Sequence, residues 1–126
     1  MTLTPGEVLV LAVLGGVGAA ARYLVDDLVN RWWARGFPLA TLCINVSGSF
    51  LIGLLAVTVG PGSSGTYAVW ATGFCGGYTT FSTATVEAVR LAREGAVRQA
   101  VVAAGGTLVL CVAAVALGVL TGRLLG

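Results

Sequence analysis

Histidine and lysine are both missing from this 126-residue chain, and only 10% of its residues are charged. The lack of histidine removes the commonest general base and the commonest transition-metal ligand. The five carboxylates (Glu7, Asp26, Asp27, Glu87 and Glu94) form no acid–base constellation, so the sequence argues against an enzyme. Cysteine is scarce as well. Cys43, Cys75 and Cys111 lie far apart in apolar runs, which fits neither a CxxC site nor a disulfide framework and predicts small core residues instead. Seven arginines give a formal charge of +2, but they make no basic cluster interleaved with aromatics, which excludes a nucleic-acid surface.

What the chain has in abundance is apolar surface. Hydrophobic residues make up 57% of it and the mean hydropathy is +0.96. So few charges cannot cover a soluble domain of this size, so lipid is the expected solvent. At about 20 apolar residues per helical crossing, there is room for roughly four helices with short loops. The fold expected is an all-α integral membrane protein, a single domain over residues 1–126 with spans at about 8–25, 39–59, 67–89 and 101–125. The first apolar run follows Glu7 rather than a positively charged segment, so it is expected to be retained and not cleaved as a signal peptide.

Each span carries a local signature. In the first, Gly15 with Ala19 and Gly16 with Ala20 are small-xxx-small pairs that let helix backbones approach closely. Arg22 lies well inside the apolar run. There a charge needs a partner or a wet cavity, unless its long stem carries the head to the interface. Asp26, Asp27, Arg31, Trp32, Trp33 and Arg35 follow as a polar, aromatic connection suited to a membrane interface. In the second span Thr41, Asn45 and Ser49 recur at i, i+4 and i+8. This polar stripe must face protein or a water-filled path, because a lone amide cannot face lipid. The third span contains GFCGGYTTFSTAT, Gly73 to Thr85, a poor uninterrupted helix that predicts a broken or unwound segment within the bilayer. Such breaks expose main-chain groups to ions in channels and transporters. Glu87, Arg90, Arg93, Glu94 and Arg98 then mark a polar connection around Gly95, and Ala114, Gly118 and Gly122 form a small-residue stripe on the last span.

The arginines also predict an orientation. With four spans, Arg31, Arg35, Arg90, Arg93 and Arg98 fall on one side and only Arg123 on the other. By the positive-inside rule the arginine-bearing connections are cytoplasmic, with both termini outside.

Three segments resemble the Fluc (CrcB) fluoride channels: Gly15-Gly-x-Gly-Ala-x-x-Arg22-Tyr23, Pro38-x-x-Thr41-x-x-x-Asn45-x-x-Gly48, and Gly73-Phe-Cys-Gly-Gly-x-Thr-Thr-Phe-Ser-Thr83. The match covers nearly the whole chain in order. The resemblance implies an antiparallel (inverted) dimer in the cell membrane, the partner being a second copy or a homologous chain of opposite orientation. It also implies two narrow fluoride pathways at the dimer interface and a structural sodium ion held there by the backbone carbonyls of Gly76 and Thr79. On the same basis Asn45 offers its amide to fluoride with Thr41 nearby, and Phe81 presents the electropositive edge of its ring to the anion. Thr107 supplies a fourth-helix hydroxyl, Ser82 and Thr83 extend the hydroxyl track, and Arg22 belongs to a vestibule or serves structure. The activity implied is export of cytoplasmic fluoride by passive electrodiffusion.

Two positions depart from the family pattern. Ala84 stands where a second phenylalanine is expected, and Ala103 where a tyrosine is expected. Together with the one-sided arginines they predict a fixed-orientation subunit of a heterodimer, with a non-conducting assembly subunit as the alternative. A small proton-coupled drug exporter would need a carboxylate deep in the membrane. Glu7 and Glu87 both lie near span ends, which makes that the weaker reading.

Overall fold

The computed structural model describes residues 2–33 and 36–126, all in helices and short connections; Arg35, used above in the orientation argument, lies outside the described residues. Helix α1 spans Pro5–Trp32. Its start is fixed by a capping box: Thr4 Oγ1 accepts the Glu7 N–H at 3.2 Å, and the Glu7 carboxylate accepts the Thr4 N–H at 2.8 Å. Pro5, at the first turn, has no N–H to leave unpaired.

The helix does not stop where the apolar run ends. Asp26, Asp27, Arg31 and Trp32, expected in a connection, continue the winding of α1, helped by an Asp27–Arg31 ion pair at 2.9 Å with i, i+4 spacing. Both side chains are well exposed, so the pair contributes only about 0.3–0.5 kcal/mol. Arg31→Ala should therefore leave the thermal midpoint within ~2 °C of wild type in a detergent melt; a drop of ten degrees would contradict this reading.

Helix α2, Leu39–Thr58, follows Pro38. The next stretch is built from pieces. Ser63 caps α3, Ser64–Ala68, by accepting the Thr66 N–H at 3.1 Å. Val69–Cys75 is wound as a wider π-helix, and α4, Gly76–Tyr78, returns briefly to α winding. Thr79 (φ −76°, ψ 158°) and Thr80 (φ −146°, ψ 119°) are extended, so the helix is interrupted there. The chain re-enters as α5, Phe81–Arg93. The connection around Gly95 is shorter than expected, since Glu87 and Arg90 are helical and only residues 94–96 turn, with Gly95 at φ 85°. Helix α6 is Val97–Leu125.

Among the described residues α1, α2 and α6 are each long and apolar enough to cross a bilayer, which makes the chain an all-α, multi-pass membrane protein. Their outward faces agree with a lipid environment: Leu9, Leu108 and Leu124 are 66%, 67% and 79% exposed.

Packing joins α2 to α6, α1 to the π segment and α4, and α5 to α6. Two seams require glycine. A Cβ on Gly118 of α6 would run into the Phe50 carbonyl of α2, and one on Gly77 would run into the Gly15 carbonyl of α1. The Ala114, Gly118 and Gly122 stripe is buried. On α1 the two small-residue pairs part company: Gly15 faces the third-span backbone at Gly73, whereas Gly16 has nothing within 4 Å. The cysteines also divide. Cys75 is buried and Cys111 half-buried, but Cys43 is exposed, contrary to expectation. Two positions after Thr41 it falls roughly 200° round the helix, opposite the buried Thr41–Asn45 face.

Candidate functional site

The polar stripe of α2 meets the interrupted helix. Asn45 is 8% exposed and binds Thr80 through both ends of its amide: Nδ2 donates to the Thr80 carbonyl at 2.9 Å, and Oδ1 accepts the Thr80 N–H at 2.8 Å. The side chain thereby pairs with the extended residue as a neighbouring strand would. The flanking hydroxyls are also engaged. Thr80 Oγ1 accepts the Thr83 N–H at 3.1 Å and donates to Thr83 Oγ1 at 3.1 Å, capping α5. Thr79 Oγ1 donates back to the Cys75 carbonyl at 2.8 Å.

Two cavities adjoin this clamp. The first, about 470 Å³, opens between α2, α5 and α6; Thr41, Asn45, Ser49, Phe81 and Thr107 line it, together with Ala84 and Ala103. The two alanines are therefore neighbours of one space. The second cavity, about 560 Å³, is lined by Arg22, Asp26, Thr83 and Arg90 among others, so the arginine within span one borders a polar cavity. Thr41, Thr80 and Glu87 belong to both linings.

Most of the residues named from the sequence gather here, though not all in one way. Thr41, Asn45, Phe81 and Thr107 line the first cavity, and Thr83 and Arg22 the second. Ser82 is exposed and lines neither. Phe81, on the first turn of α5, is 86% exposed. Gly76 lies on the helical side of the interruption and is exposed, and Thr79, its first residue, is half-buried and lines the first cavity.

One participant was missed. Glu87 looked like part of a connection, yet its Oε1 accepts the Thr41 hydroxyl at 3.1 Å, and its buried Oε2 has no partner among the described residues. The signal was present: Thr80, Thr83 and Glu87 are spaced i, i+3, i+7, one face of a helix turned toward α2.

Fold and site together define a polytopic helical membrane protein whose buried polar groups converge on an interrupted helix. The family described as "CrcB-like protein, Camphor Resistance (CrcB)" matches residues 9–119, and the chain belongs to it. Among its relatives is "Fluoride-specific ion channel FluC 1" of Leifsonia xyli subsp. xyli, 44% identical over 124 residues, 97% of this chain and 90% of that protein. "Fluoride-specific ion channel FluC" of Ruminiclostridium cellulolyticum is 43% identical over 114 residues, covering 88% and 85% of the two chains. "Fluoride-specific ion channel FluC 3" of Bifidobacterium longum is 44% identical over 88 residues, covering 68% and 73%.

Proposed function

We propose that this chain is a subunit of a fluoride-selective channel that lets cytoplasmic fluoride leave the cell by passive electrodiffusion, as a channel and not an enzyme. The observation that carries the reading is the row of α2 hydroxyl and amide groups facing the interrupted helix along a cavity, Thr41, Asn45 and Ser49, in a chain whose relatives are named fluoride-specific channels. Fluoride is small and tightly hydrated, so its passage needs closely spaced donors in place of lost water. The hydroxyls of Thr83 and Thr107 supply such donors, with Ser82 contributing on the outward side, and Thr41 joins them when its hydroxyl turns from the Glu87 carboxylate to the anion. The amide of Asn45 has two N–H bonds, one held by Thr80, which leaves the other for the anion. An interior-negative potential drives the anion outward by about 2.3 kcal/mol per charge per 100 mV.

The functional unit in this proposal is an antiparallel dimer. A phenylalanine 86% exposed beside a cavity mouth calls for cover by a second subunit, and Phe81 then offers its ring edge to the anion at the interface. The partner is a second copy or a homologous chain of opposite orientation. The one-sided arginines favour the latter, with both termini of this chain outside. Relatives bearing the numbered names FluC 1 and FluC 3 support a companion chain. A sodium ion at the dimer interface completes the assembly. The carbonyls beside Thr79–Thr80 suit it, since a hard cation takes neutral oxygen ligands and an interrupted helix supplies them.

Fluoride-electrode recordings of efflux from liposomes test the reading. Wild-type chain, alone or with its companion, should release fluoride and not chloride, and Phe81→Ala should slow release about tenfold or more. Because Ala84 and Ala103 line the same cavity in place of larger aromatic side chains, a non-conducting assembly subunit is the second reading. It predicts no efflux from this chain alone, and unchanged efflux from the pair when Phe81 is replaced.

A further inference from the structure

We propose that Asn45 and Thr80 are positioning residues for the cation site: they take the two main-chain N–H groups that an unbroken helix would give to the Gly76 and Thr79 carbonyls, and so keep those oxygens free for a cation. The inference rests on the sodium reading above and deepens it. In an α-helix each N–H bonds the carbonyl four residues earlier. The helical donor for the Gly76 carbonyl is therefore the Thr80 N–H, and that for the Thr79 carbonyl is the Thr83 N–H.

Both donors are diverted. The Thr80 N–H goes to Asn45 Oδ1 at 2.8 Å, and the Thr83 N–H goes to Thr80 Oγ1 at 3.1 Å. Each acceptor is in turn held in place by a second bond. Asn45 is anchored by Nδ2 donating to the Thr80 carbonyl at 2.9 Å, and the Thr80 hydroxyl by donating to Thr83 Oγ1 at 3.1 Å. Asn45 and Thr80 are 8% and 9% exposed, so the bond that takes the Thr80 N–H is buried, and the one that takes the Thr83 N–H is part-buried. The extended backbone of Thr79 and Thr80 is thus maintained by two side chains, one from α2 and one from the interruption itself.

The consequence is a competition. Without either acceptor, the freed N–H is able to return to its carbonyl and close the helix, and a cation must then displace a hydrogen bond to bind. Losing one such bond corresponds to about a tenfold weaker site.

The readout is sodium-dependent stability, not fluoride flux. The full-length chain, purified in detergent with any subunit that accompanies it, is melted across a series in which sodium replaces choline at constant ionic strength. Wild type should melt higher as sodium rises. Thr80→Ser, which keeps the hydroxyl, should titrate as wild type does. Thr80→Val, nearly isosteric but lacking the acceptor, should need about tenfold more sodium for half of the same rise, and Asn45→Leu should need at least as much. Thr80→Val leaves α2 untouched, so the Thr80 pair decides the matter even where Asn45→Leu does not fold. Wild-type titration by Thr80→Val overturns the positioning role and leaves the sodium site standing. Absence of any sodium effect in wild type overturns the sodium reading and this inference with it.

Discussion

Asn45→Ala is expected to lower fluoride efflux from liposomes by about a hundredfold or more, the largest loss of any single polar substitution at the site. The amide makes two hydrogen bonds to the backbone of Thr80, and both disappear with it. A buried N–H or carbonyl left without a partner costs about 1–3 kcal/mol, and a hundredfold change in rate corresponds to about 2.7 kcal/mol. The interruption of the third span is thereby disturbed at the same time as a donor for the anion is lost. Thr41→Val gives the contrast. Among the described residues its hydroxyl bonds only the Glu87 carboxylate, at 3.1 Å, and no main-chain group depends on it. Its efflux should fall by about tenfold. The comparison is made by fluoride electrode at matched protein density, with size-exclusion profiles to show that each variant is folded. An Asn45→Ala protein that is monodisperse and conducts within threefold of wild type would remove the amide from the centre of the mechanism.

Much of this arrangement is legible in the sequence, for definite physical reasons. An amide and two hydroxyls at i, i+4 and i+8 in an apolar run can face only protein or water, so the direction of the Thr41–Asn45–Ser49 stripe followed from the nature of the membrane alone. Three glycines and four threonines within Gly73–Thr85 made an interruption foreseeable, though not its position. Whether winding fails at the glycines or beyond them depends on what lies opposite. Here α1 packs closely against Gly73 and Gly77, which stay π-wound or helical, while Asn45 across the interface captures Thr80 and sets the extended residues there. A tertiary partner thus chose between sites of similar local propensity.

The same limit explains the misread ends of helices. Charged residues after Val25 looked like a loop because hydropathy marks where lipid ends, not where winding ends, and Asp27 with Arg31 supports further turns in water. Glu87 was set aside for a related reason. A carboxylate near a span end reads as solvated, but α5 starts only at Phe81, and its first two turns still face α2. Cys43 shows the converse: an apolar neighbourhood in sequence says nothing about which side of a helix a residue occupies.

Gly118→Val should yield no stably assembled protein, the largest structural effect expected of any single substitution. A Cβ at this position meets the Phe50 carbonyl oxygen, the Leu54 nitrogen at 2.9 Å and the Phe50 carbonyl carbon at 3.1 Å, all of them backbone. No rotamer change can relieve a clash with backbone, so α2 and α6 must separate. Overpacking of this kind costs about 1–3 kcal/mol when side chains give way, and more when helices must part. The effect reaches the site because α2 also carries Asn45, whose bonds to Thr80 at 2.8 and 2.9 Å do not survive a shift of about an ångström. Gly105→Ala is the control. Its added methyl meets nothing within 4 Å, and alanine is the better helix former by about 1 kcal/mol, so its melting temperature should equal or exceed that of wild type. Membrane yield and the monodisperse peak in detergent measure both. A Gly118→Val protein recovered in wild-type amount with an unchanged melting temperature would mean that the close approach of α2 and α6 is not what holds the polar stripe against the interrupted helix.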